Sequence, residues 1–213
     1  MITIGLTGGI GAGKSLVSEM LATKGAAIVN ADLVGHRSYR KGMPAHERLI
    51  AEFGRDILDP EGEIDRGKLG QRVFADPRER ERLNDIVWPA MAEMMEEDLK
   101  ALRARGEPVA VLEAAVLIEA GWGYLADETW VVIASPQVTH QRLVETKEMS
   151  PEQAEARIRA QLSNEERKWY ADAVIENNGS VEELRRRVDE VWADLQRRIA
   201  GGASPSGRRA EAE

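Results

Sequence analysis

The hydrophobic pattern opens with Ile2-Thr3-Ile4-Gly5-Leu6, a short apolar run that suits a buried strand. Leu16, Val17, Met20 and Leu21 then return at helical spacing, and Gly25 is a suitable stop. Ala26-Ala27-Ile28-Val29 reads as a second strand that runs into Asn30-Ala31-Asp32. From about residue 33 to 104 the pattern turns helical and charged, and the proline of Trp88-Pro89 is expected to open a helix. Pro108 to Ile118 is the longest apolar run and predicts a central parallel strand covered on both faces. Thr129 to Ala134 predicts another short strand, and a helical block follows over about 137 to 169. Ala173-Val174-Ile175 predicts a last strand. The closing helix runs from Val181 to about Ile199, with Val181, Leu184, Val188, Val191 and Leu195 on one stripe. Ser150 with Gln153, Ser163 with Glu166, and Ser180 with Glu183 each have the form of a capping box. Strands alternating with helices predict a doubly wound parallel sheet, whose ligands bind at the carboxyl ends of the strands.

Composition narrows the class. The 213 residues suffice for one sizeable α/β core, and 43% hydrophobic with 31% charged residues are ordinary globular values. There is no cysteine, which excludes disulfides, a thiolate zinc site and a cysteine nucleophile, and fits a reducing cytoplasm. The chain starts on the buried strand without a basic segment, so no secretory signal is expected, and no apolar run has the length of a membrane span. The formal charge of −8 argues against sequence-independent nucleic-acid binding. It does not oppose polyphosphate binding, for which a few placed N–H groups and cations suffice. Residues 201–213 are small, polar and charged, and are expected to be a disordered tail.

The chemistry enters between the first strand and the first helix. Gly8 to Ser15 read Gly-Gly-Ile-Gly-Ala-Gly-Lys-Ser, the phosphate-binding loop pattern G-x-x-x-x-G-K-[ST] in its required strand–loop–helix setting. Chance would produce this match in a chain of this length roughly once in a hundred. Glycines let successive backbone N–H groups curl around a phosphate, and the helix adds its positive end. Gly9, Ile10, Gly11, Ala12, Gly13, Lys14, Ser15 and Leu16 are therefore the expected nucleotide-binding stretch. Lys14 is suited to reach the β and γ phosphates, and the Ser15 hydroxyl to ligate Mg²⁺. Such a loop serves kinases, GTPases, motors and transport ATPases alike. The chain has no Asn-Lys-x-Asp base-recognition motif and no transport ATPase signature, and its short length favours a small-molecule kinase.

Further blocks extend the match. They are Gly5 to Ser15, Ala31-Asp32, Phe53-Gly54 with Ile57-Leu58, Gly62 to Arg66, Val73-Phe74, and Leu117-Ile118-Glu119. Arg157 to Gln161, Ala171-Asp172 and Asn177-Asn178-Gly179 complete the series. In order and spacing this pattern resembles dephospho-CoA kinase. Trp88-Pro89 and Ala114 to Trp122 look most like the kinase domain of the bifunctional CoA synthase of animals, without room for its adenylyltransferase half. The resemblance implies an α/β P-loop NTPase fold, with a nucleoside-monophosphate-kinase-like parallel sheet, a helical substrate-binding region and a lid. On this reading a single kinase domain spans 1–200. Its core is 1–33, 105–136 and 170–200, the CoA-binding insertion is 34–104, and the lid is 137–169. The implied reaction is ATP + 3′-dephospho-CoA → CoA + ADP, with Mg²⁺ as cofactor and small molecules as partners. Another small-molecule or nucleoside monophosphate kinase, or a nucleotide-binding regulator with weakened turnover, shares the same loop chemistry.

The resemblance assigns Asp32 as catalytic base for the ribose 3′-hydroxyl; the alternative is a strand-end aspartate capping the next helix. Glu119 is expected at the strand end, either to hold Mg²⁺ through water or orient substrate, or simply to meet solvent. Arg142 is the first candidate among the lid arginines, with Arg157 and Arg159 beside it. Gln161, Asn177 and Asn178 are candidates to hold adenine or the lid hinge. Arg66 is a candidate partner for a substrate phosphate or a local acid, and Trp88 for stacking on CoA or for the core. His36, His46 and His140 show no metal spacing. Four positions depart from the family pattern. Asn30 replaces an aspartate, Leu16 a threonine, Trp88 a histidine, and Thr146 a lid arginine.

Overall fold

The computed structural model of the chain describes residues 1–147 and 149–202, with the side chains of residues 74 and 75 left aside. Of the expected tail, residues 203–213 lie outside the described residues. The chain divides into two compact units, one built from Met1–Val29 and the residues from Ala101 onward, the other from Asn30–Lys100.

The first unit carries a five-stranded sheet in the order β2-β3-β1-β4-β5. Its strands are β1 (Ile2–Gly8), β2 (Ala27–Asn30), β3 (Val109–Glu113), β4 (Glu128–Ile133) and β5 (Ala173–Glu176). β1 pairs in parallel with β3, Ile4 opposite Val111, and with β4, Leu6 opposite Trp130; β4 pairs in parallel with β5. β1 is thus central, and the connections leave it first towards β3 and β2, then towards β4 and β5. Doubly wound sheets bind ligands at such a reversal, and the loop after β1 lies there. Ile4, Leu6, Val109, Val111, Trp130 and Val132 pack with Val17 and Leu21 of α1 (Lys14–Thr23) and with Leu184, Val188 and Leu195 of α9 (Val181–Ala200). Val181, expected on the same stripe, stands exposed at the start of α9.

The long apolar run corrects one expectation. The strand ends at Glu113, not Ile118. The backbone then turns, and Leu117 folds back over the sheet so closely that a β-carbon on Gly5 would meet its Cδ2 at 2.7 Å. Leu117 and Trp122 are buried because this turn packs on β1, which pattern alone does not distinguish from a longer strand. Between β4 and β5 come α6 (Pro136–Lys147), α7 (Pro151–Arg159) and α8 (Asn164–Trp169). The serine boxes at Ser150, Ser163 and Ser180 all form, each serine hydroxyl accepting from the N–H three residues on and each serine N–H donating in return to that Gln or Glu side chain. A cap of this kind contributes about 1 kcal/mol.

The second unit is helical: α2 (Ala31–Ser38), α3 (Pro44–Phe53), α4 (Arg66–Ala75) and most of α5 (Pro77–Ala104). Pro89 does not open a helix; it lies inside α5, which Pro77 begins. The apolar stripe Ile86, Val87, Met91, Met95 and Leu99 is buried and carries the helix through the proline, whose own position is solvent-exposed. Leu49, Phe53, Ile57 and Leu69 are buried in this unit as well.

Candidate active site

The loop from Gly8 to Ser15 turns out of β1 into α1 with its last glycine in left-handed geometry. Gly13 has φ 94°, and a β-carbon there would come 2.2 Å from Asn177 Nδ2. Any other residue would be strained and would displace Asn177. Among described residues of the helix start, no side chain caps the N–H groups of α1. Those donors and the positive end of the helix dipole lie at the end of the loop, which suits an anion.

Beneath the loop, Lys14 Nζ donates to Glu113 Oε1 at 2.8 Å, and the Ser15 hydroxyl donates to the same oxygen at 2.8 Å. Glu113 is the last residue of β3 and is 4% exposed. Burial alone pushes its carboxyl up. The hydrogen bond and charge of Lys14, with the Ser15 and Ser18 hydroxyls, outweigh burial and hold it below its ordinary value. A lysine, a hydroxyl and a buried carboxylate therefore converge where the first helix begins. Glu119 does not occupy this place, because the strand stops six positions earlier than it stands.

The other rim of the loop is built from the segment between β4 and α9. Asn177 Nδ2 donates to the Ala12 carbonyl at 2.8 Å. Arg142, on α6, donates from Nη2 to Asn177 Oδ1 at 3.2 Å and from Nη1 to the Gly11 carbonyl at 3.4 Å. The Ile10 N–H donates to Gln161 Oε1 at 2.8 Å. Asn178 instead holds the Ser135 N–H at 2.7 Å, one residue before α6. Arg159 pairs with Glu155 on its own exposed helix, so it belongs to a solvated face. The Thr146 hydroxyl bonds back to the Arg142 carbonyl at 2.5 Å, along α6. Leu16 is half-buried against the core of the sheet unit.

Arg167, on α8, is the residue sequence reasoning missed. Its side chain is 1% exposed. Nη2 donates to Glu119 Oε1 at 3.0 Å, whereas Nε and Nη1 are buried without a partner among the described residues. A β-carbon on Gly9 would lie 3.5 Å from Gln161 Oε1 and 4.0 Å from Arg167 Nε, so this guanidinium reaches the loop.

In the helical unit, Asp32 is an exposed residue of the first turn of α2. It is not the helix cap: Asn30 is, accepting the Leu33 N–H at 3.1 Å, so the asparagine performs the capping an aspartate would. Arg66 begins α4; burial raises the Tyr39 phenol above its ordinary value, and the nearby Arg66 charge partly opposes that. Trp88 is half-buried within α5. His46 Nε2 bonds the Gly62 carbonyl at 2.8 Å, and no cluster of three metal-ligating side chains occurs among the described residues.

A phosphate-binding loop with this set of neighbours is matched by known proteins. Residues 2–183 match the family model described as dephospho-CoA kinase. The chain belongs to this family.

Dephospho-CoA kinases of Geobacter sulfurreducens and Thermobifida fusca are 44% and 42% identical to it, over 91% and 93% of this chain and 98% of each relative. A solved structure from Thermus thermophilus is 32% identical, covers 91% of this chain and 97% of its own, and superposes with a TM-score of 0.75. Dephospho-CoA kinase from Campylobacter jejuni, at 24% identity and a TM-score of 0.70 over 92% of this chain and 97% of its own, shares the fold. So does shikimate kinase from Acinetobacter baumannii, at 15% identity and 0.52 over 92% and 94%. In this dephospho-CoA kinase family member, Glu113 and Arg167 had weak signals. The end of a strand facing the loop lysine would have pointed to Glu113, since the apolar run contains a carboxylate at its centre. For Arg167 the pattern of α8 is charged throughout, and only burial separates it from its neighbours.

Proposed function

We propose that the chain transfers the γ-phosphoryl group of ATP to the ribose 3′-hydroxyl of 3′-dephospho-CoA, giving CoA and ADP, with the following division of labour. The loop N–H groups and the start of α1 receive the phosphates. Lys14, held ready by Glu113, moves to the β and γ phosphates and neutralises charge that grows in transfer. The Ser15 hydroxyl and the Glu113 carboxylate are a hard-oxygen pair that fits Mg²⁺, and releasing Lys14 frees Glu113 for that purpose. Held by Ser15 and Glu113, Mg²⁺ would supply neutralisation of phosphate charge. Arg142, already anchored to the loop through Gly11 and Asn177, holds the lid side against the phosphates. Asp32 accepts the 3′-hydroxyl proton or orients that hydroxyl for in-line attack. Residues 34–104 form the CoA-binding region and 137–169 the lid. Both substrates are small soluble molecules, which suits a cytoplasmic enzyme with no cysteine.

The observation that carries this reading is the convergence of Lys14, Ser15 and buried Glu113 beneath a glycine loop in a chain of this family. Asp32→Asn tests the base. Turnover should fall about a hundredfold or more while ATP affinity stays within roughly threefold. Equal losses in turnover and ATP binding would show that Asp32 supports structure instead. AMP, CMP and adenosine as acceptors separate this reaction from that of a nucleoside kinase on the same fold.

A further inference from the structure

The buried guanidinium of Arg167 has more donors than the one carboxylate beside it meets. Its side chain is 1% exposed, and Glu119, 28% exposed, takes only Nη2. Among the described residues, Nε and Nη1 have no partner. A buried cation with two unmet donors is unfavourable, and folded proteins rarely keep one unless something else meets it. The position of Arg167 says what that is. Nε lies 4.0 Å from the β-carbon site of Gly9, and the adjoining Ile10 N–H is covered by Gln161. Gly9 and Ile10 form the entry rim of the loop, which ends in Lys14 and Ser15. An oxyanion seated over that rim would meet the loop N–H groups and the unpaired Nε–H together, a charge-assisted contact of the kind arginine makes with phosphate.

We propose that Arg167 is a further catalytic residue, one that binds the phosphoryl group being transferred. The β-phosphate belongs at the start of α1 with Lys14, so the Gly9–Ile10 rim faces the group beyond it, the γ-phosphoryl. Arg167 differs from Arg142 in its burial: its side chain is 1% exposed, whereas Arg142 is half-buried. Glu119 orients the fork from behind, and α8 is set by the Ser163 capping box. Gln161 occupies the Ile10 N–H until phosphate replaces it. The inference rests on the proposed ATP reaction but is independent of the acceptor.

The test compares wild type, Arg167→Met and Arg167→Lys, in ATP and ADP binding by calorimetry, in steady-state turnover with 3′-dephospho-CoA, and in ligand-free melting temperature. Methionine keeps much of the volume and removes the two unmet buried donors, and Glu119, 28% exposed, can turn to water, so the melting temperature should hold within about 4 °C. ATP affinity should fall about tenfold, ADP affinity should stay within roughly threefold, and kcat should fall about a hundredfold or more. Arg167→Lys keeps charge but loses the fork, and should lie between the two. ADP affinity falling as much as ATP affinity, or kcat within roughly threefold of wild type, in either folded variant would overturn the proposal. If Arg167→Met does not fold, Arg167→Lys decides by the same comparison. Wild type that binds ATP but makes no CoA would refute the acceptor assignment and leave the ATP–ADP contrast at Arg167 to stand on its own.

Discussion

Replacing Glu113 with glutamine probes the resting state of the loop. Glutamine keeps the shape and one acceptor oxygen for Lys14 and Ser15, and removes only the charge. In the wild type the Lys14 and Glu113 side chains are 12% and 5% exposed and 2.8 Å apart. At that separation and an effective dielectric near 20, their attraction is about 6 kcal/mol. Much of it offsets the cost of taking both charges out of water. Breaking such a pair from one side costs about 3–5 kcal/mol, and the retained hydrogen bonds put Glu113→Gln near the low end, about 3 kcal/mol. For a domain of this size each kcal/mol moves the melting temperature by about 2–4 °C, so the fall should be about 6–12 °C. Adding ATP with chelator present gives Lys14 a new anionic partner, so the variant should gain more stability from ATP than the wild type does. Scanning calorimetry with and without ATP reads both quantities. A fall of less than about 2 °C, or equal gains from ATP in both proteins, would refute the view that Glu113 holds Lys14 until nucleotide arrives.

The same carboxylate sets a pH dependence. Glu113 is held below its ordinary value of 4.5, so its contribution is present above that value and is lost as pH falls through the lowered one. The stability gap between wild type and Glu113→Gln should therefore narrow as pH is taken from about 6 towards about 3, measured by denaturant titration at each pH. Gly13→Ala should strain a φ of 94° by roughly 1–2 kcal/mol and displace Asn177, lowering nucleotide affinity about tenfold or more by calorimetry. Away from the site, Arg198 of α9 forks onto Glu128, whose side chain is 1% exposed and also accepts the Trp130 indole N–H at 3.1 Å. Arg198→Ala should cost about 3 kcal/mol of stability, read by chemical denaturation, with kcat of the folded enzyme unchanged.

How far the molecule could be read beforehand depended on how local each signal was. The phosphate loop, the alternation of strands and helices, and the three serine capping boxes are written in consecutive residues, and they were legible. The strand carrying Glu113 was legible in place but not in length. Val116, Leu117 and Ile118 continue its apolar pattern into a turn that packs on Gly5, so the strand-end carboxylate was sought at Glu119. Pro89 misled because a proline usually starts a helix, whereas the buried stripe from Ile86 to Leu99 carries α5 through it. Arg167 was invisible because its helix reads Asn-Glu-Glu-Arg-Lys-Trp, and nothing in that string tells a buried arginine from the solvated ones beside it. Asn30 could be read as a loss beside Asp32, yet it supplies the cap itself. Sequence distance explains these misses: each depends on what a residue meets from another part of the chain.

The central claim is that the loop lysine drives phosphoryl transfer onto 3′-dephospho-CoA. Chromatographic detection of CoA from purified protein, ATP, Mg²⁺ and 3′-dephospho-CoA, run beside Lys14→Ala, tests it most directly. The account predicts CoA and ADP in equal amounts from the wild type, dependent on Mg²⁺, and almost none from a folded Lys14→Ala. Equal turnover by Lys14→Ala, or ATP binding by the wild type with no CoA formed, would contradict it.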